Sequence, residues 1–101
     1  MTAWYCKTGD YHRRIQLDLS GFDTTGASGV TFRMVATETG AVAVNDRPGT
    51  LLSSTRIGYQ FAAPELDVAG TYRLEATLTY ADGRETVPTV GTATVVISSR
   101  I

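Results

Sequence analysis

The sequence predicts an all-β domain in which two antiparallel sheets pack face to face, and three observations predict it. Apolar and polar residues alternate in run after run, helical spacing is nearly absent, and turn-forming clusters divide the runs at roughly the 8–12-residue spacing of a β-sandwich.

Alternation carries most of the weight, because successive side chains of a strand point to opposite faces. Ile15, Leu17 and Leu19 alternate with Arg14, Gln16 and Asp18. Val30, Phe32, Met34 and Ala36 alternate with Thr31, Arg33, Val35 and Thr37. Ile57, Tyr59 and Phe61 alternate with Arg56, Gly58 and Gln60. Tyr72, Leu74, Ala76, Leu78 and Tyr80 interleave with Arg73, Glu75, Thr77 and Thr79, and Ala93, Val95 and Ile97 with Thr94, Val96 and Ser98. Each run has one apolar face and one mostly polar face, as two sheets packed over a common core require. Phe32, Met34, Tyr59, Phe61, Tyr72, Leu74 and Leu78 are expected to share that core.

Turn chemistry divides the runs. Residues 20–26 form a polar loop that carries glycine, and Glu38-Thr39-Gly40 predicts a tight turn before a short strand over 41–44. Asn45-Asp46-Arg47-Pro48-Gly49 reads as a breaker cluster. Ala81-Asp82-Gly83-Arg84 carries the Asp-Gly pair favoured in two-residue hairpins. Residues 62–66 suggest one helical turn, and Pro88 marks an edge, bulge or kink after the hairpin. The expectation is about seven antiparallel strands in two sheets, in a single domain over 1–101, with 1–8 either an N-terminal arm or the first strand.

Composition narrows the function classes. A chain of 101 residues that is 43% hydrophobic can bury one core without metal or disulfide. The net charge of −1 argues against nucleic acid and against a polybasic membrane anchor. The single cysteine, Cys6, allows no intrachain disulfide. No apolar run follows a basic stretch at the N-terminus, and no window approaches the ~20 apolar residues of a membrane-spanning helix, so synthesis in a cytoplasm is expected.

Chemistry-bearing residues are sparse. Cys6 and His12 could form a nucleophilic pair only if in contact with an orienting group, and the reading preferred here is a packed or surface thiol and a surface histidine. Cys6, Asp10 and His12 match no common zinc spacing, and Asp18, Asp23, Asp46, Glu65, Asp67 and Asp82 match no calcium loop. They read as solvated carboxylates serving turns. No enzyme, cofactor or metal is expected. Trp4, Tyr5, Tyr11 and Phe22 are candidates for sugar stacking, weighed against roles as end caps of the sandwich and interface anchors.

The segment Asp67-Val68-Ala69-Gly70-Thr71-Tyr72-Arg73-Leu74 resembles the corner that opens one strand of immunoglobulin-like sandwiches. There a tyrosine two residues after glycine sends its hydroxyl back to upstream backbone. For Gly70 and Tyr72 the expected acceptor lies a few residues upstream, near 62–67.

The ordered pieces Gly9-Asp10, Gly26-Ala27-Ser28-Gly29-Val30-Thr31-Phe32-Arg33-Met34, Gly58-Tyr59-Gln60-Phe61, 69–76, 79–84 and 94–97 together resemble the N-terminal immunoglobulin-like domain of the phage baseplate upper protein family. Tyr11-His12 stands where a proline often follows the opening Gly-Asp. The resemblance implies an immunoglobulin-like β-sandwich and a non-enzymatic structural protein of a tailed-phage virion, a tail-tip, baseplate or other assembly subunit. Its implied partners are other virion proteins and copies of itself in a symmetric assembly; its implied location is the virion, after synthesis in the host cytoplasm. The alternative is a carbohydrate-binding or cell-adhesion sandwich. Trp4 and Tyr5, placed ahead of the first confident strand, and the edge near Pro88 are the expected partner contacts.

Overall fold

Alternating residues become strands wherever one face can be buried. The computed structural model describes residues 2–11, 14–19, 25–87 and 93–99, and among them forms nine strands and no helix. In chain order these are β1 (Thr2–Lys7), β2 (Arg14–Asp18), β3 (Gly29–Ala36), β4 (Val42–Pro48), β5 (Thr50–Ser53), β6 (Arg56–Gln60), β7 (Gly70–Tyr80), β8 (Gly83–Val87) and β9 (Ala93–Ser98).

Two sheets result. A six-stranded sheet runs in the order β1-β9-β7-β3-β4, with β8 also paired to β7, and a three-stranded sheet runs β2-β6-β5. β8 and β9 occupy successive stretches of one edge of β7: Val87 lies opposite Ala76 and Ala93 opposite Leu74. The paired strands are antiparallel except β1 and β9, which run parallel from Thr2 opposite Ala93 to Lys7 opposite Ser98. This corrects the expectation of antiparallel strands throughout. β1 and β9 are separated by most of the chain, so no hairpin fixes their relative direction.

The inner faces share one core. Phe32, Met34, Tyr59, Phe61, Tyr72, Leu74 and Leu78 are all buried, in a cluster with Ile15, Leu17 and Val95. The Phe32 ring on the larger sheet meets Tyr59 on the smaller at 5.3 Å between centroids, and Phe61 stands edge-on to Tyr59 at 5.4 Å. Such aromatic pairs add about 0.5–1.5 kcal/mol beyond area burial.

Local chemistry departs from expectation in three places. β4 runs through the supposed breaker cluster as a bulged strand: Met34 opposes Val44 but Phe32 opposes Arg47, and Asp46 adopts φ 51°. The extra residue of the bulge absorbs the turn-prone Asn45 and Asp46 without ending the strand. After Gly49 the chain passes to the other sheet as β5, a strand that the alternation does not reveal. In the hairpin, the turn falls on Ala81 and Asp82, and Gly83 opens β8 opposite Tyr80 with φ 153°, so the Asp-Gly pair is one residue off the turn centre. Finally, 62–66 is a pair of tight turns, not a helical turn: the amide of Glu65 donates to the Ala62 carbonyl (2.9 Å) and that of Asp67 to Pro64 (3.0 Å), with a cis bond between Ala63 and Pro64.

Gly49 is fixed by space. A Cβ built on it would lie 2.4 Å from Cε1 and 2.6 Å from Cδ1 of Phe32, and 2.8 Å from the Gly58 carbonyl oxygen. The chain changes sheets directly beneath a core ring.

Candidate partner-contact surface

The N-terminal segment is strand β1, not a free arm, and its period decides the fate of each side chain. Cys6 turns inward and is buried, and Trp4, two residues before it, is half-buried against the core. Tyr5 turns outward and is 67% exposed. The expected pair of aromatic anchors is therefore divided: Trp4 joins the sandwich and Tyr5 remains on the surface.

β1 ends the six-stranded sheet, and among the described residues its outer edge pairs with no strand. The loop that follows it is tied to both sheets. The Thr8 amide donates to Ser98 O (2.9 Å) and the Gly9 amide to Leu66 O (3.0 Å). The Lys7 amide donates to the Asp10 carboxylate at 3.0 Å, and Gly9 supplies the positive φ of 83° that the bend requires. The Tyr11 hydroxyl donates to Asp67, and Gln60 Nε2 donates to the Tyr11 carbonyl at 2.7 Å. These bonds hold β1 as a rigid edge.

The corner opens β7, at the same end of the sheet as this loop. The Tyr72 hydroxyl donates to the carbonyl of Val68 at 2.7 Å, four residues upstream and adjoining the stretch expected for the acceptor. Burial raises the pKa of that hydroxyl. Gly70 takes φ 154°, and an added Cβ would meet the Tyr72 ring at an ordinary 3.6 Å, so backbone conformation and not crowding favours glycine there.

Glu65 overturns its reading as a solvated carboxylate: it is 7% exposed. It accepts the Tyr59 hydroxyl on both oxygens (2.8 and 2.6 Å) and the Ala62 amide on Oε1 (2.7 Å). Burial first, then this carboxylate, pushes the Tyr59 ionisation well above the ordinary tyrosine range, while the charge of Arg47 pulls the other way. The sequence placed Glu65 in a turn and gave no sign that Tyr59, six residues earlier, would reach it.

The remaining candidates do not converge. Cys6 is buried, the Asp10 carboxylate serves the Lys7 amide, and His12 lies outside the described residues, as do Phe22, Asp23 and Pro88. Among the described residues no three His, Cys, Asp or Glu side chains form a group that could hold a metal ion. Of the sugar-stacking candidates that are described, Trp4 packs on the core, Tyr11 is half-buried, and Tyr5 alone is fully presented. No protein-family model matches the chain, and no curated protein matches it.

Proposed function

We propose that the chain is an immunoglobulin-like module that serves as a non-enzymatic structural subunit of a tailed-phage virion, at the tail tip, baseplate or another assembly point. It works by shape, docking on other virion proteins and on copies of itself. The observation that carries the reading is the unpaired β1 edge with Tyr5 projecting from it at 67% exposure. An open edge offers main-chain groups to a partner strand, and an exposed aromatic beside it is an anchor of the kind interfaces use.

The immunoglobulin-like assignment is supported by strand placement and by the corner. The order β2-β6-β5 is like that of strands B, E and D in one sheet of that fold, and β3, β7 and the β8/β9 edge are like C, F and G in the other, with β4 beside β3 as in the variable type. The Tyr72 hydroxyl bonds back to upstream backbone, as the corner tyrosine of such domains does. The phage assignment is supported by the resemblance of the ordered sequence pieces over roughly residues 9–97.

The test is mass spectrometry of purified particles made from the genome that encodes the chain. The chain is expected at a fixed copy ratio to the other virion proteins, and Tyr5→Asp, at an exposed site, should lower that ratio while the purified variant stays folded. Absence of the wild-type chain from particles refutes the virion reading. Specific retention on a glycan array without incorporation would put the carbohydrate-binding alternative in its place.

A further inference from the structure

The six-stranded sheet ends on its other side at β4, beside a groove that lies far from β1 in the strand order. The groove has a volume of about 390 Å³ and lies between the β3–β4 turn and the corner, with Ala36, Val42, Pro64 and Val68 in its walls. That is near the lower end of the ~300–1,000 Å³ range of small-ligand sites and suits an inserted side chain. Three large hydrophobic residues are exposed among the described residues, and two of them, Val42 (45%) and Val68 (68%), line this groove. A single exposed valine is ordinary; two on one concave surface mark a contact site.

Both walls are already built. On one side the Gly40 amide donates to Ala36 O (2.9 Å) and the Ala36 amide to Ala41 O (2.8 Å). On the other the Tyr72 hydroxyl fixes Val68 and the turns at Glu65 and Asp67 fix Pro64. A partner therefore meets a preorganised surface and loses less entropy in ordering it.

Charge narrows the partner. Two carboxyl side chains line the groove, Glu38 at the exposed turn and the buried Glu65, and its described lining includes no lysine or arginine. The hydrogen-bond donors to Glu65 given above, the Tyr59 hydroxyl and the Ala62 amide, are neutral. The chain as a whole is nearly balanced, with 9 basic and 10 acidic residues, so the acidity is local. Beside the groove, β4 pairs only with β3 among the described strands, which leaves an edge for main-chain pairing.

We infer that this groove docks an extended segment of another polypeptide, one that presents an aliphatic side chain next to an arginine or lysine. The aliphatic group enters between Val42, Pro64 and Val68, the cation meets the exposed carboxylate of Glu38, and the main chain runs along β4. The inference stands apart from the virion reading, because it rests only on the shape and charge of the groove.

The experiment is amide-resolved NMR titration of the full chain with a blocked hexapeptide carrying leucine followed by arginine among threonines. Control peptides replace the arginine with glutamate or threonine, or the leucine with alanine. The leucine–arginine peptide is expected to shift the amides of Val42, Val68 and Gly70, and both the glutamate and the alanine peptides to bind more weakly by roughly tenfold. Val68→Lys should weaken binding by a similar factor. Glu38→Gln, at an exposed position, should weaken the arginine peptide by roughly two- to fivefold and leave the threonine peptide unchanged. No shifts at millimolar peptide, shifts confined to residues away from the groove, or equal binding of the arginine and glutamate peptides would overturn the inference. If Val68→Lys does not fold, the Glu38→Gln comparison decides by itself.

Discussion

Replacing Gly49 by alanine is the sharpest test of how the two sheets are joined. The added methyl would sit 2.4 and 2.6 Å from two ring carbons of Phe32 and 2.8 Å from a backbone oxygen. Carbon atoms rest at about 3.5–4.0 Å, so a neighbour must move by roughly an ångström. The ring has little room to do so: Phe32 is 1% exposed, and its ring packs against Tyr59 at 5.3 Å between centroids. The oxygen belongs to Gly58, inside β6 between β2 and β5. No positive φ is required at Gly49, so the whole cost is steric. Overpacking of this kind costs about 1–3 kcal/mol. For a domain of this size that is a fall in melting temperature of roughly 4–20 °C. Urea unfolding followed by circular dichroism measures it directly, and Phe32→Leu in the same chain should recover part of the loss, a coupling that a double-mutant cycle isolates. A Gly49→Ala chain within about 0.5 kcal/mol of the parent, the range of neutral surface changes, would refute the close approach.

The other predictions concern the core and the corner. Leu74→Ala, which truncates a side chain only 1% exposed, should destabilise by about 2–5 kcal/mol in the same assay. Tyr72→Phe removes the bond to Val68 and should cost about 0.5–1.5 kcal/mol without changing the fold; a neutral result in denaturation would count against the corner. Stability should also fall in alkali. The pKa values of Tyr59 and Tyr72 are raised in the folded chain above the ordinary 10.0, so the fold favours their neutral forms. Their contribution is complete below pH 10.0 and is lost as the pH climbs above it, where the unfolded chain ionises first. Urea midpoints that stay flat above that pH, after allowance for the other tyrosines, would contradict the burial of these hydroxyls.

The fold was legible where burial is one-sided. Ile15, Phe32 and Leu74 each stand between polar neighbours, and all three are in the core. It was less legible where the chain obeys space instead of period. β5 reads Thr50-Leu51-Leu52-Ser53, too short to show alternation, and both of its leucines are only half-buried. Asn45, Asp46 and Pro48 favour turns as isolated residues, yet the bulge in β4 accommodates them because an edge strand needs hydrogen bonds on one side only. Gly83 was assigned to the turn centre because glycine after aspartate is the common hairpin signal, but the register opposite Tyr80 places it in the strand.

The candidate contact surfaces divide along the same line. Trp4 and Tyr5 are equally aromatic and adjacent in sequence; once the segment is a strand, they must face opposite ways. Which of them faces the core follows from the parallel register against β9, where Trp4 lies opposite the buried Val95 and Tyr5 opposite the half-buried Val96. No local pattern encodes that register, since the partner strand is more than ninety positions away. The groove is further still from the reach of pattern. Val42 and Val68 come from a β-turn neighbourhood and a corner that meet only after the sheets have packed, and neither is remarkable in its own segment. Its accessible acid is Glu38, because Glu65 lies in the groove wall with both carboxylate oxygens held by Tyr59 of the smaller sheet. The two open edges, β1 and β4, close opposite ends of one sheet and present different chemistry, an exposed tyrosine at one and an apolar acidic groove at the other. Contacts made through two unlike patches are heterologous, and such contacts build rings when the rotation closes and filaments when it does not. On the proposed reading as an assembly subunit, this pair of edges suits lateral neighbours on both sides, and the choice between ring and filament lies in the angle that the edge contacts impose.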